Sequence, residues 1–299
     1  MEDKWGLVFS GGGAKGAYQI GVWQAMKECG LCDKVAGISG ASIGSLNAVL
    51  FASGNLEQAI DAWKHVKLLT VFDTEWSKID GVEGFALRDG MIELIRNYVN
   101  YDKVYNYPYS IFCSLARILE KREYFCEYYK VNGVSKERLE DVLAASSAMP
   151  IIYEAVMIDG VPYRDGGLCD NVPIKPLYEE GYRKIILVGL NQNQKKYEEK
   201  YPDVEFWSVF PSHSLGELDG TLNFRPTFIS FCMKLGYRDG MRMFQAYQTG
   251  NVSKELLDMQ AKIDYDQIMA ELRYEKLQKT VDSDMNKLNK ILGKYGVDL

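Results

Sequence analysis

Histidine is nearly missing from this 299-residue chain: only His65 and His213 occur. That excludes a histidine-built metal centre and leaves imidazole a poor candidate for general base. No window of about 20 apolar residues exists, so no membrane-spanning helix is expected. The first apolar run, "WGLVF", is broken by glycine too soon to serve as a signal peptide, and a cytoplasmic protein is expected. Basic blocks and tails are missing too. With 35 basic against 41 acidic residues the net charge is -6, which speaks against a nucleic-acid partner. Cysteine is scattered over six positions in a chain large enough not to need staples, so reduced thiols are expected. Cys29 and Cys32 form a CxxC at the end of a helical stretch, whereas the redox motif opens a helix after a strand. No carboxylate loop with calcium-binding spacing appears, and neither metal nor cofactor is expected.

What is present is a globular composition, 47 % hydrophobic and 25 % charged. Apolar spacing predicts a strand at Trp5 to Phe9, a helix over 17–28, a second short strand at Val35 to Ile38, and a buried helix in "SLNAVLFA". Asn55 caps the next helix, and "GMIELIRNYV" reads as another after a glycine-containing loop. Strands follow near 110–116 and 123–130. "SKERLEDVLAASSAMP" is a helix capped by Ser135 and stopped by Pro150. Two strands flank the turn at Asp159 and Gly160, "IKPLYEEG" is helical, and "KIILVGL" is a strand buried on both faces. Strands alternating with helices predict an α/β fold, a three-layer α/β/α sandwich with a mostly parallel sheet. Charge-rich helix from Val252 onward sets a boundary near 250, dividing a catalytic domain over 1–250 from a helical extension over 251–299.

Three glycines, Gly11, Gly13 and Gly16, satisfy GxGxxG between a strand and a helix. A dinucleotide site then needs an acidic residue closing the second strand, but that strand ends in Ser39 and Gly40. A P-loop needs lysine after the last glycine, and Lys15 precedes Gly16. The second strand instead leads into "GASIG", Gly40 to Gly44, a GxSxG placed as a nucleophile elbow requires, with Ser42 at its tip. Glycines flank the serine because side chains there would strike the converging strand and helix. Neither histidine is marked as a triad member, so a carboxylate is the expected base, and "YRDGGLCDNVP" offers Asp165 in a glycine turn after a strand. Asp159, Asp170 and Asp239 compete with it, the last read as structural.

These segments together, "GGGAKG", "GASIG" and "DGG", make the chain resemble the patatin-like phospholipase family over roughly residues 5–245. The resemblance implies a Ser-Asp dyad that hydrolyses acyl esters of lipids. Ser42 would be the nucleophile, Asp165 the base, and the backbone N–H groups of Gly11, Gly12 and Gly13 the oxyanion hole. Lys15, Gly16, Gly40, Gly44, Gly166 and Gly167 would support the motifs, Lys15 through an ion pair that fixes its loop. The implied partner is a lipid or acyl-ester substrate, met through transient contact with a membrane or micelle. An acyltransferase, a thioesterase and a catalytically idle lipid-binding protein share these features. The apolar stripe on the C-terminal helices raises self-association as a further expectation.

Overall fold

The computed structural model describes residues 4–66, 92–93, 95–119, 123–150, 153–191, 197–250 and 253–294. The helix expected over "GMIELIRNYV" lies in part, and most of the loop before it wholly, outside the described residues. Eight strands are described: β1 (Trp5–Phe9), β2 (Val35–Ala41), β3 (Ile111–Ile118), β4 (Tyr124–Lys130), β5 (Val156–Ile158), β6 (Val161–Asp165), β7 (Lys184–Val188) and β8 (Glu205–Val209). They form one sheet in the order β5-β6-β3-β2-β1-β7-β8, with β4 on β3 as well. Four pairings are parallel, β8/β7, β7/β1, β1/β2 and β2/β3. Three are antiparallel, β3/β4, β3/β6 and β5/β6.

The helices are α1 (Ala17–Glu28), α2 (Ile43–Ala52), α3 (Leu56–His65), α4 (Tyr101–Tyr105), α5 (Lys136–Ser146), α6 (Lys175–Glu179), α7 (Tyr197–Lys200), α8 (Leu218–Thr221), α9 (Pro226–Thr249) and α10 (Lys254–Lys294). They cover both faces of the sheet, giving the α/β sandwich that the alternating pattern predicts. Side chains of a strand point alternately to its two faces, and the parallel strands are apolar on both. Leu7, Phe9, Ile38 and Val188 enter the larger core with α1, α2 and α9. Val8, Ala36, Ile185 and Leu187 enter a smaller one against Leu177 of α6 and Tyr182.

Local signals are where the sequence places them. Asn55 accepts from the Gln58 N–H and Ser135 from the Arg138 N–H, each satisfying a donor the helix leaves unpaired. Asp159 and Gly160 both have positive φ, 50° and 75°, as a two-residue hairpin of the twist-matched kind needs. The helix before Pro150 ends sooner than proline alone would stop it, at Ser146. β8, a sheet-edge strand, carried no clear alternation and was not anticipated.

The expectation of reduced thiols fails at one pair. Cys126 and Cys169 are disulfide-bonded, with Cα atoms 5.5 Å apart. Sheet register explains it: Cys126 lies opposite Ala116 and Asp165 opposite Leu115, so the turn following Asp165 brings Cys169 over β4. Cys29, Cys32, Cys113 and Cys232 are free, and burial pushes the Cys32 thiol up to about 11, away from thiolate chemistry. Among the described residues no helix is long and apolar enough to cross a membrane.

Candidate active site

Strand β3 assembles the site. One of its edges carries β4 along its whole length; the other carries β2 as far as the Ala41↔Ser114 pair and β6 from the Leu115↔Asp165 pair onward. Two strands distant in sequence therefore meet end to end on consecutive residues of a third. Ser42 follows the end of β2 and Asp165 ends β6. The Ser42 hydroxyl donates to Asp165 Oδ2 at 2.7 Å across 123 residues of sequence.

Ser42 sits at φ 53°, ψ -127°, a left-handed conformation that costs a side-chain-bearing residue of the order of 1–3 kcal/mol. The surrounding packing holds it there. A Cβ on Gly40 would lie 2.2 Å from Gly44 O, and one on Gly44 would lie 2.3 Å from Phe9 O, so β1, β2 and α2 converge only because both positions are glycine. Ser146 of α5 is a third support: its hydroxyl accepts from the Ser42 N–H at 3.1 Å, donates to Ser114 O at 2.8 Å and meets the Ser45 hydroxyl at 2.7 Å.

Asp165 is 5 % exposed, and among the described residues no cation bonds to it. Its partners are neutral donors, the Ser42 hydroxyl and the Gly167 N–H, the latter 2.7 Å from Oδ1. Burial pushes its carboxyl up to about 6, and the two hydrogen bonds offset part of that rise. Gly166 holds the following turn closed, its carbonyl accepting from the Cys169 and Asp170 N–H groups. The competing carboxylates lie in other arrangements. Asp170 accepts from Tyr128 and from the Val172 N–H, Asp159 pairs with Arg138 on the surface, and Asp239 is paired with Arg242. His65 pairs with Asp61 and His213 stacks on Tyr265 with ring centroids 4.0 Å apart; neither bonds to Ser42 or Asp165.

The glycine turn between β1 and α1 faces this pair. Gly13 opens a 3-10 turn that Gly16 closes, leading straight into α1. The Gly11 N–H is already taken, donating to Asn171 O at 3.1 Å, so it is withdrawn from the expected oxyanion donors; Gly12 and Gly13 remain. Asn171 also returns a bond, Nδ2 to Gly11 O at 3.2 Å, which fixes the Gly11–Gly12 peptide plane and hence the direction of the Gly12 N–H. A Cβ on Gly11 would be 2.3 Å from Asn171 Oδ1 and one on Gly167 2.7 Å from it, so this side chain fills the space between the glycine turn and the aspartate turn. Sequence reading missed Asn171, although its place six residues after Asp165 in the same tight turn was a signal.

Behind the turn lies a buried amide chain that sequence reading also missed. Trp63 Nε1 donates to Asn47 Oδ1, Asn47 Nδ2 donates to Gln19 Oε1 and Gly16 O, and Gln19 Nε2 donates to Ser10 O. Apolar spacing marked these helices but could not single out polar residues turned inward. Lys15 does not form the expected ion pair. Its ammonium donates to the carbonyls of Gly216 at 3.3 Å and Glu217 at 3.4 Å, and burial lowers its pKa. It still ties the glycine loop to a second loop, through carbonyls in place of a carboxylate.

Comparison with known proteins agrees with this architecture. The family model for patatin-like phospholipases matches residues 7–178. An uncharacterized NTE family protein of Mycobacterium tuberculosis is 24 % identical over 188 residues, 63 % of this chain and 49 % of that protein. Lysophospholipase NTE1 of Cryptococcus neoformans is 26 % identical over 215 residues, 69 % of this chain and 12 % of that protein. The chain thus matches about half the length of the mycobacterial relative and a small part of the fungal one. Among solved structures, VipD from Legionella pneumophila superposes with a TM-score of 0.55 at 13 % identity, covering 98 % of this chain and 78 % of that one, a likeness of fold.

Proposed function

The chain belongs to the patatin-like phospholipase family, and from that premise we propose that it is a lipid acyl hydrolase working through a Ser42–Asp165 dyad. The observation that carries the reading is the 2.7 Å bond between a serine on a strained elbow and a buried aspartate that, among the described residues, has no cation against it. Ser42 attacks the ester carbonyl while its proton passes to Asp165. The tetrahedral oxyanion is met by the Gly12 and Gly13 N–H groups, whose geometry Asn171 and Lys15 maintain. On collapse Asp165 returns this proton to the departing alkoxide, so that the alcohol leaves and an acyl-enzyme remains; water then attacks the acyl carbonyl as its proton passes to Asp165, which hands it to Ser42 Oγ as the carboxylic acid is released.

A free aspartate near pKa 3.9 would be a feeble base, and burial corrects this. With the carboxyl at about 6, Asp165 is ionised at neutral pH yet basic enough to take a proton. Because only the ionised form accepts, kcat/KM falls as pH drops through about 6. The experiment is hydrolysis of a medium-chain p-nitrophenyl ester by wild type, Ser42→Ala and Asp165→Asn, with intact mass after a fluorophosphonate probe. Turnover and a single label on Ser42 are expected in wild type alone; label on another residue, or turnover by folded Ser42→Ala, overturns the assignment.

A further inference from the structure

Helix α10 carries two apolar stripes on opposite faces. One packs on the catalytic core: Ala261 and Ile268 are buried, Leu272 rests against the core cluster, and Asp264 reaches Arg242 of α9 at 2.5 Å. That stripe stops at Leu272; Glu275, Lys279 and Ser283 take the positions that would continue it. The opposite stripe does not stop. Leu256 is 55 % exposed, Ile263 42 %, Tyr274 66 %, Leu277 65 % and Val281 58 %, with exposed Met259 and Met285 at the stripe's borders.

The spacing of this second stripe identifies its partner. Leu256, Ile263, Ala270 and Leu277 recur every seven residues, and Tyr274 and Val281 form a second seven-residue series set between them. An apolar repeat of 3.5 residues on average is the signature of a seam against another helix wound along the first. A wider stripe repeating at 3.6 would suit a globular surface or a lipid interface. We propose that this face is a homodimer seam, formed by α10 of a second copy of the chain running antiparallel to the first.

Polar residues at the seam select the orientation. Two copies aligned antiparallel about the point between residues 275 and 276 place Tyr274 against the partner's Leu277, Val281 against the partner's Ala270, and Gln267 against the partner's Asp284. The polar seam residues Gln267 and Asp284 then meet each other, where a hydrogen bond is available. At the flanks, Asp266 faces the partner's Lys287, an opposite-charge pair that the two-fold axis makes twice. A parallel alignment sets Asp284 against its own copy and Asp266 against the partner's Glu271, both repulsive. Glu271 and Glu275 are meanwhile held by Lys234 of α9, so the helix stays docked on its own core while offering its outer face.

The test uses the whole chain in sedimentation equilibrium at micromolar concentration, with ester hydrolysis and circular dichroism as folding controls. Wild type is expected to be a dimer, and Leu277→Asp with Val281→Asp, both at exposed positions, a folded monomer whose dimer dissociation constant has risen by about 100-fold or more. Orientation is read by oxidative cross-linking: chains carrying Ala270→Cys should couple to chains carrying Val281→Cys, whereas Val281→Cys should not couple to itself beyond the wild-type background. A monomeric wild type, a dimer that survives the double variant, or efficient coupling of Val281→Cys to itself overturns the proposal. So does a monomer whose flotation with phosphatidylcholine vesicles is lost in the double variant, which would make the stripe lipid-facing.

Discussion

Two aspartates in this molecule are both buried, and their surroundings give them different work. Asp239 is fully buried and Asp165 is 5 % exposed. Asp239 faces Arg242, accepts from Tyr18 and from the Ser212 N–H, and shares its guanidinium with Asp264 of α10. Its charge is answered by an opposite charge, and the cluster pins α1, α9 and α10 together. Among the described residues Asp165 is answered only by dipoles, a hydroxyl and an amide. A buried carboxylate with a cation beside it is a clamp; one without is a proton acceptor held at some cost to stability. The contrast also reaches the serine, since Ser42 is held to its partner by one hydrogen bond whose proton can move.

The sharpest break of the contrast is kinetic. Ser42→Ala and Asp165→Asn should each lower kcat/KM for a p-nitrophenyl ester by about 1,000-fold or more with the fold intact. Activity within 10-fold of wild type in either would remove the dyad. Next in size is the clamp: Arg242→Leu leaves two carboxylates buried without a cation and should cost about 3–5 kcal/mol in urea unfolding. A loss below about 1 kcal/mol would show that the cluster is well solvated. Asn171→Ala, which frees the Gly11 carbonyl and opens the space between the two turns, should lower kcat about 10- to 100-fold with KM little changed. A change confined to KM would place Asn171 in substrate binding instead.

The smallest effect concerns stability and its sign. Because the Asp165 pKa is raised on folding, its contribution is favourable below about pH 4 and is lost as pH rises through about 6. Asp165→Asn should therefore stabilise the protein at pH 8 by about 1–2 kcal/mol, after the loss of one hydrogen bond, and give no gain at pH 4.5. Equal gains at both values would mean that charge is not the cause.

The legible part of this fold was what short windows encode. Asn55 and Ser135 announce their helices by cap chemistry, the Asp159–Gly160 turn by its residues, and "GASIG" by the glycines a tight elbow demands. Ser42 and Asp165 could be named because each lies in such a window. What no window could hold is reciprocity across the chain: that the Gly11 N–H is consumed by Asn171, that Lys15 finds carbonyls of residues 216 and 217, or that Cys126 meets Cys169. The disulfide depends on the register of β3 with β4 and β6, which alternation alone does not fix, and the other two on loops brought together by the order of strands in the sheet. The part played by Ser146 was hidden for a related reason, since it is set by Ser42, a residue 104 positions away.

The shared edge of β3 has a further meaning for how this chain tolerates change. Because β2 hands over to β6 between Ser114 and Leu115, the spacing of serine and aspartate is set by two neighbouring rungs of one ladder, with Ser146 on the Ser42 N–H and the Ala148 carbonyl on the Asp165 N–H as further ties. The β3–β4 connection can lengthen or shorten without moving either residue, provided the rungs hold. A slip of β6 by a single residue, by contrast, would turn Asp165 to the opposite face of the sheet. The molecule is thus lenient to insertion at the β3–β4 connection and intolerant over one peptide unit of β3.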